Sequence, residues 1–87
     1  MDIEKIIGKR IRLSRRTKDI TLKDLSNLTG ISINYLSAIE QGRANPSLKK
    51  IDIILFHLEM TWGELFSPDT LSTPNNDDVI ISNPLVR

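Results

Sequence analysis

Through residue 66 the apolar positions recur every three or four residues, the spacing of amphipathic helices, and no period-two pattern interrupts them. Ile3, Ile7 and Ile11 follow one another as a stripe that Ile6 widens, with Arg10, Arg12, Arg16 and Lys18 expected on the exposed side. Leu22, Leu25 and Leu28 share one face of a second segment, and Leu36 and Ile39 share one face of a third. The fourth segment is the most hydrophobic: Leu48, Ile51, Ile54, Leu55 and Leu58 make a broad apolar face that reads as core. Leu65 and Phe66 close a short fifth.

Each segment opens on a residue suited to cap a helix, namely Asp2, Thr21, Ser32, Ser47 and Thr61. Thr21 with Asp24, and Thr61 with Glu64, stand at capping-box spacing. The breaks are as clear. The first helix should fail between Thr17 and Ile20, Gly30 and Gly42 can take left-handed conformations, Pro46 pushes Asn45 out of the helical region, and Pro68 stops the fifth helix. The pattern predicts an all-α bundle of five short helices over residues 1–66.

The stretch from Thr21 to Gly42 organises the rest. Two capped helices across a tight turn at Thr29-Gly30-Ile31 are the sequence form of a helix-turn-helix. On this reading the helix from Ser32 to Gln41 enters the major groove of double-stranded DNA.

From Ser67 the composition shifts. SPDTLSTPNNDD is polar and rich in Pro, Asn and Asp, and reads as a linker or tail over 67–87. Val79-Ile80-Ile81 is a short β-prone run within it. A frayed tail, a strand that pairs with another chain, or the entrance to a further domain all fit, the first best for most of 67–78.

Charge adds to the picture. The chain of 87 residues carries a formal net charge of only +1. Residues 8–50, however, hold ten Lys or Arg against three acids, a net +7, and the rest is net −6. A basic segment centred on a helix-turn-helix is the footprint expected for phosphate binding, although a solvated, cation-rich helix surface has the same composition. The absence of cysteine excludes disulfides, thiolate metal sites and Cys nucleophiles. No apolar run approaches membrane-spanning length and the N-terminus lacks a signal-peptide core, so a soluble cytoplasmic protein with no membrane partner is expected. Phosphate-binding glycine loops, nucleophile motifs and HExxH-like pairs are missing, so no enzyme and no cofactor are expected. His57 has no partner at metal-ligand spacing and reads as a surface residue. Trp62 reads as packing at the core or bundle edge, with a dimer interface as the alternative.

Four pieces in order, IGKRIRLSRR, TLKDLSNLTGIS, NYLSAIEQGRANPSL and MTWGELF, resemble the Xre-type helix-turn-helix family, which includes the lambda-repressor-like proteins. The resemblance covers about residues 7–66. It implies a lambda-repressor-like five-helix bundle and a sequence-specific transcriptional regulator, binding palindromic operators as a homodimer. An antitoxin-like interaction module, and the DNA-binding part of a longer regulator with a cupin-type sensor, are the alternatives. The small-molecule effector is not identifiable.

Carried onto this chain, the family's base-reading positions fall on Ile33, Asn34, Ser37 and Ala38. The Asn34 carboxamide suits adenine N6 and N7, while Ile33 and Ala38 suit thymine methyls. Phosphate contacts are expected from Lys23, from the helix N-terminus at Ser32, and from the Tyr35 hydroxyl. Gln41, Gly42 and Arg43 sit where family members clamp the backbone, with Asn45 and Lys49 adding to the clamp. Arg15 and Glu40 match a structural ion pair. Two departures stand out: Leu22 occupies a position where the family often has a phosphate-binding Gln, and Ser14 one that is usually large and apolar. Leu13 is the residue expected to compensate for the second.

Overall fold

A computed structural model describes residues 2–67. In order the helices are α1 (Ile3–Thr17), α2 (Leu22–Thr29), α3 (Ile33–Glu40), α4 (Leu48–Leu58) and α5 (Trp62–Phe66), with no strand among the described residues. The tail expected beyond Ser67, including the run at 79–81, lies outside the described residues.

Local chemistry sets the boundaries. Asp2, Thr21, Ser32, Ser47 and Thr61 each accept a backbone N–H of the helix they open, and both capping boxes close. At the other ends, Gly30 (φ 78°) ends α2 and Gly42 (φ 74°) follows the last turn of α3. No Cβ has to be accommodated in either left-handed turn.

The helices close over one core of Ile11, Leu25, Ile31, Leu36, Ile39, Ile51, Ile54, Leu55, Leu58 and Leu65. Helix α1 lies against α3, α4 and α5, and α2 against α3 and α4. Ile7, Ile20, Leu22, Tyr35, Ala44, Met60 and Trp62 pack around its margin.

Five expectations about burial give way. Arg10 is only 6% exposed. Its Nη1 donates to the carbonyls of Glu64 and Ser67, because α5 folds across α1 and brings its C-terminal carbonyls to that side. A cation there satisfies groups that a helix end leaves open. Leu28 and Leu48 are 51% and 73% exposed. Each lies in a terminal turn, one at the end of α2 and one at the start of α4. Ile3, at the start of α1, is likewise 45% exposed. Leu13 does not fill in for Ser14; it remains exposed and faces a recess shared with Met60 and Glu59.

Candidate nucleic-acid interface

The α2–α3 turn is held from within. Thr29 Oγ1 donates to the Leu25 carbonyl at 2.8 Å and accepts the Ile31 N–H at 3.1 Å. Ile31 is buried and carries the chain back into the core. Ser32 Oγ then accepts the Tyr35 N–H at 3.1 Å, starting α3.

Leu36 and Ile39 anchor the inner face of α3, fully or almost fully buried. Ile33, Asn34, Ser37, Ala38 and Gln41 follow at helical spacing on the opposite side. Ile33, Asn34 and Gln41 are exposed, whereas Ser37 and Ala38 are half-buried. The structure therefore brings the four residues expected to read bases onto one outward surface.

Glu40 points inward instead. Arg15 Nε and Nη2 bond its two carboxylate oxygens at 2.6 and 3.0 Å, and Arg15 Nη1 donates to the Ile20 carbonyl at 2.7 Å. This bidentate pair crosses from α1 to α3 and removes an acid from the basic surface. Gly8 brings the same two helices into close approach at Ile39 and Glu40.

Several of the residues expected at phosphates are exposed. Lys23 is exposed in the first turn of α2, and Asn45 and Lys49 are exposed after α3. Tyr35 is half-buried against the core, so only part of it is free for a ligand. It lines a recess with Gly30, Ile31, Ser32 and Lys50. Lys50 was not singled out by the sequence reading; only the packing of α4 behind the turn brings it to the N-terminus of α3. Gln41 and Arg43 are exposed and bonded to each other.

Leu22 packs against the core margin and offers no polar group. Beside it, Arg12 shares a recess of about 290 Å³ with Arg15, Ser37, Glu40 and Gln41. Arg12 is a second exposed cation that sequence reasoning left unassigned, because helical phase alone does not say which neighbour an exposed residue faces.

Two remaining candidates have ordinary surroundings. His57 is half-buried with its ring edge-on to Phe56, 5.2 Å between centroids. Trp62 Nε1 donates to Asp52 at 2.9 Å while the indole stacks on Phe66. Among the described residues no group of three His, Cys, Asp or Glu could hold a metal, and no helix is long and apolar enough to cross a membrane.

These features define the class: a lambda-repressor-like helix-turn-helix domain with an uncovered third helix. A model of the helix-turn-helix domain family matches residues 8–61. The chain belongs to this family, one of DNA-binding transcriptional regulators.

Among curated proteins it is 36% identical over 78 residues to the HTH-type transcriptional regulator y4dJ of Sinorhizobium fredii, covering 85% of this chain and 95% of that one. It is 33% identical over 72 residues to the antitoxin PezA of Streptococcus pneumoniae, covering 83% of this chain but only 46% of PezA. The match to SlrR of Bacillus subtilis, 37% over 67 residues, covers 76% of this chain and 44% of SlrR. The chain thus spans less than half the length of two of these relatives. Among solved structures, the restriction-modification controller C.AhdI of Aeromonas hydrophila superposes with a TM-score of 0.71 at 29% identity, covering 76% of this chain and all of that one. The clp gene regulator ClgR of C. glutamicum gives 0.70 at 26% identity, covering 71% and 80%.

Proposed function

We propose that the chain binds operator DNA as a homodimer, with α3 of each copy in a major groove and the two half-sites about 10 bp, or a multiple of that, apart. The observation that carries this reading is the outward face of α3. Its inner residues and its one acid are tied into the scaffold, leaving Ile33, Asn34, Ser37 and Ala38 outward. Asn34 reads adenine, and Ile33 and Ala38 lie against thymine methyls.

Lys23, Asn45 and Lys49 hold flanking phosphates. At the start of α3 the Ser32 N-terminus, the Tyr35 hydroxyl and Lys50 take another, since helix N-termini and cations both favour anions. The Gly42 main chain approaches the backbone at the far end. Few side chains can read bases, so much of the affinity comes from phosphates and DNA shape. The protein acts in the cytoplasm.

Selection from random duplexes, followed by mobility shifts at increasing salt, tests this. An enriched two-fold-symmetric site whose binding weakens steeply with salt is expected. Equal binding to random and selected duplexes would sink the reading.

A second reading is favoured by the relationship to PezA: an antitoxin-like module whose main partner is another protein. Comparing the full chain with one ending at Ser67 separates the two. If DNA affinity and oligomeric state are unchanged in the short chain, residues after 67 have no part in either. Alignment to less than half of PezA and SlrR also suits the DNA-binding part of a longer, effector-sensing regulator.

A further inference from the structure

At the C-terminal end of α3 three side chains are joined by hydrogen bonds that run in one direction. Arg43 Nε donates to Gln41 Oε1 at 2.8 Å, and Gln41 Nε2 donates to Ser37 Oγ at 3.0 Å. The polarity is dictated by chemistry. A guanidinium has donors and no acceptor, so the Gln41 amide must turn its oxygen to Arg43 and its nitrogen to Ser37. The Ser37 oxygen accepts within the chain, and its own proton is left to donate. The second Nε2 proton of Gln41 and the terminal nitrogens of Arg43 are donors too.

The main chain holds the far end of this relay. Gly42 takes φ 74°, its N–H donates to the Ile39 carbonyl at 3.0 Å, and the Arg43 N–H donates to the Ala38 carbonyl at 2.9 Å. Arg43 is therefore fixed from its backbone and from Nε, and among the described residues its two terminal nitrogens have no hydrogen-bond partner. Ser37 stands on the same outward face as Ile33, Asn34 and Ala38, which links Arg43 to the base-reading surface as well as to the phosphates.

We propose that Arg43, held by Gln41 and through it by Ser37, selects guanine opposite the C-terminal half of α3 with its two terminal nitrogens. This rests on the DNA-binding reading above and reassigns Arg43 from phosphates to a base edge, with Gln41 as its support. In the major groove guanine presents two acceptors, N7 and O6, and no donor. Cytosine presents a donor, adenine one acceptor beside a donor, and thymine one acceptor beside a methyl. Guanine is the one edge on which every group accepts, so the terminal nitrogens of Arg43, which can only donate, are both satisfied there. A phosphate would also accept from Arg43, but Gln41 ties the guanidinium back toward Ser37 on the base-reading face.

The test uses the full chain on a duplex selected from random sequence. The wild type is expected to select a guanine in each half-site and to lose roughly 10-fold in affinity, about 1.4 kcal/mol, when that base is changed to adenine. Replacing it with 7-deazaguanine, which lacks the N7 acceptor, should have a similar effect. Gln41→Ala and Arg43→Ala should each erase this preference while keeping those at other positions, and the double variant should be no worse than either single one. The Gln41 and Arg43 side chains are exposed, so circular dichroism should be unchanged. Two results would overturn the proposal: Arg43→Ala weakening guanine and adenine duplexes alike, or Gln41→Ala keeping the full guanine preference. A wild type that enriches no sequence would instead bring down the DNA-binding reading beneath it.

Discussion

Gly8 is the tightest point between the first helix and the third. A Cβ there would stand 2.1 Å from the Ile39 carbonyl oxygen and 2.8 Å from that of Glu40. Alanine gains about 1 kcal/mol in helix propensity. The collision is with backbone, however, and no rotamer relieves it, so overpacking wins. Gly8→Ala is expected to cost about 2 kcal/mol net and to lower the melting temperature by roughly 10 °C, measured by circular dichroism. The Arg15–Glu40 pair behaves differently, because its desolvation is already offset by a bidentate geometry. Glu40→Gln leaves Arg15 buried without its counter-charge and should cost about 3 kcal/mol in urea unfolding. Exchanging both for apolar residues, as Arg15→Met with Glu40→Leu, should recover most of it. Arg10 marks the limit of reading residues singly. In sequence it is one more cation on a basic helix, and only the carbonyls that α5 brings to it make it a buried clamp.

The helices themselves were largely readable, since caps, capping boxes and apolar spacing act within a few residues of each other. What local chemistry does not reveal is where the backbone carries strain. Glu59 ends α4 at φ 54°, and Asp19 follows α1 at φ 58°. Asp is comparatively tolerant of this region, whereas Glu is not favoured there. Glu59→Gly should therefore raise stability by roughly 0.5–1 kcal/mol, seen as a higher urea midpoint with an unchanged slope. A lower midpoint would mean that the Glu59 side chain contributes more than its backbone conformation costs. Apolar spacing also overstates burial at helix ends. Leu28 and Leu48 keep the phase of the core stripe yet stay exposed, each in a terminal turn of its helix.

For the whole molecule, the uneven charge predicts how binding responds to salt. Each phosphate-contacting cation adds close to one unit to the slope of log K against log salt. Lys49→Ala and Lys50→Ala should each lower that slope by about 1 and weaken all sequences alike. If the slope does not change, the two lysines do not face phosphates. The proposed homodimer belongs at this scale as well. Ile53 and Phe56 on α4 are exposed, Phe56 at 76%, and Phe66 on α5 stacks on Trp62 beside them. These residues form an uncovered apolar surface of the kind that marks protein interfaces. Phe56→Arg should give a monomer in sedimentation without a lower melting temperature, because so exposed a ring contributes little to the fold. A dimer that survives this change would move the interface elsewhere.

By itself the sequence determined whatever depends on neighbours close along the chain. That includes the five helices and their caps, the turn at Gly30, the apolar face of α4, and the outward set of α3, Ile33, Asn34, Ser37 and Ala38. These features arise from hydrogen bonds and helical phase spanning three or four residues, so they are written in the order of amino acids. Tertiary structure alone decided the matters that join distant segments. It placed Lys50 at the start of α3, gave Arg10 the carbonyls of α5, and brought Gly8 against the backbone of α3. The physical reason is that helical phase shows which residues turn outward, while the crossing of two helices decides what each outward residue meets.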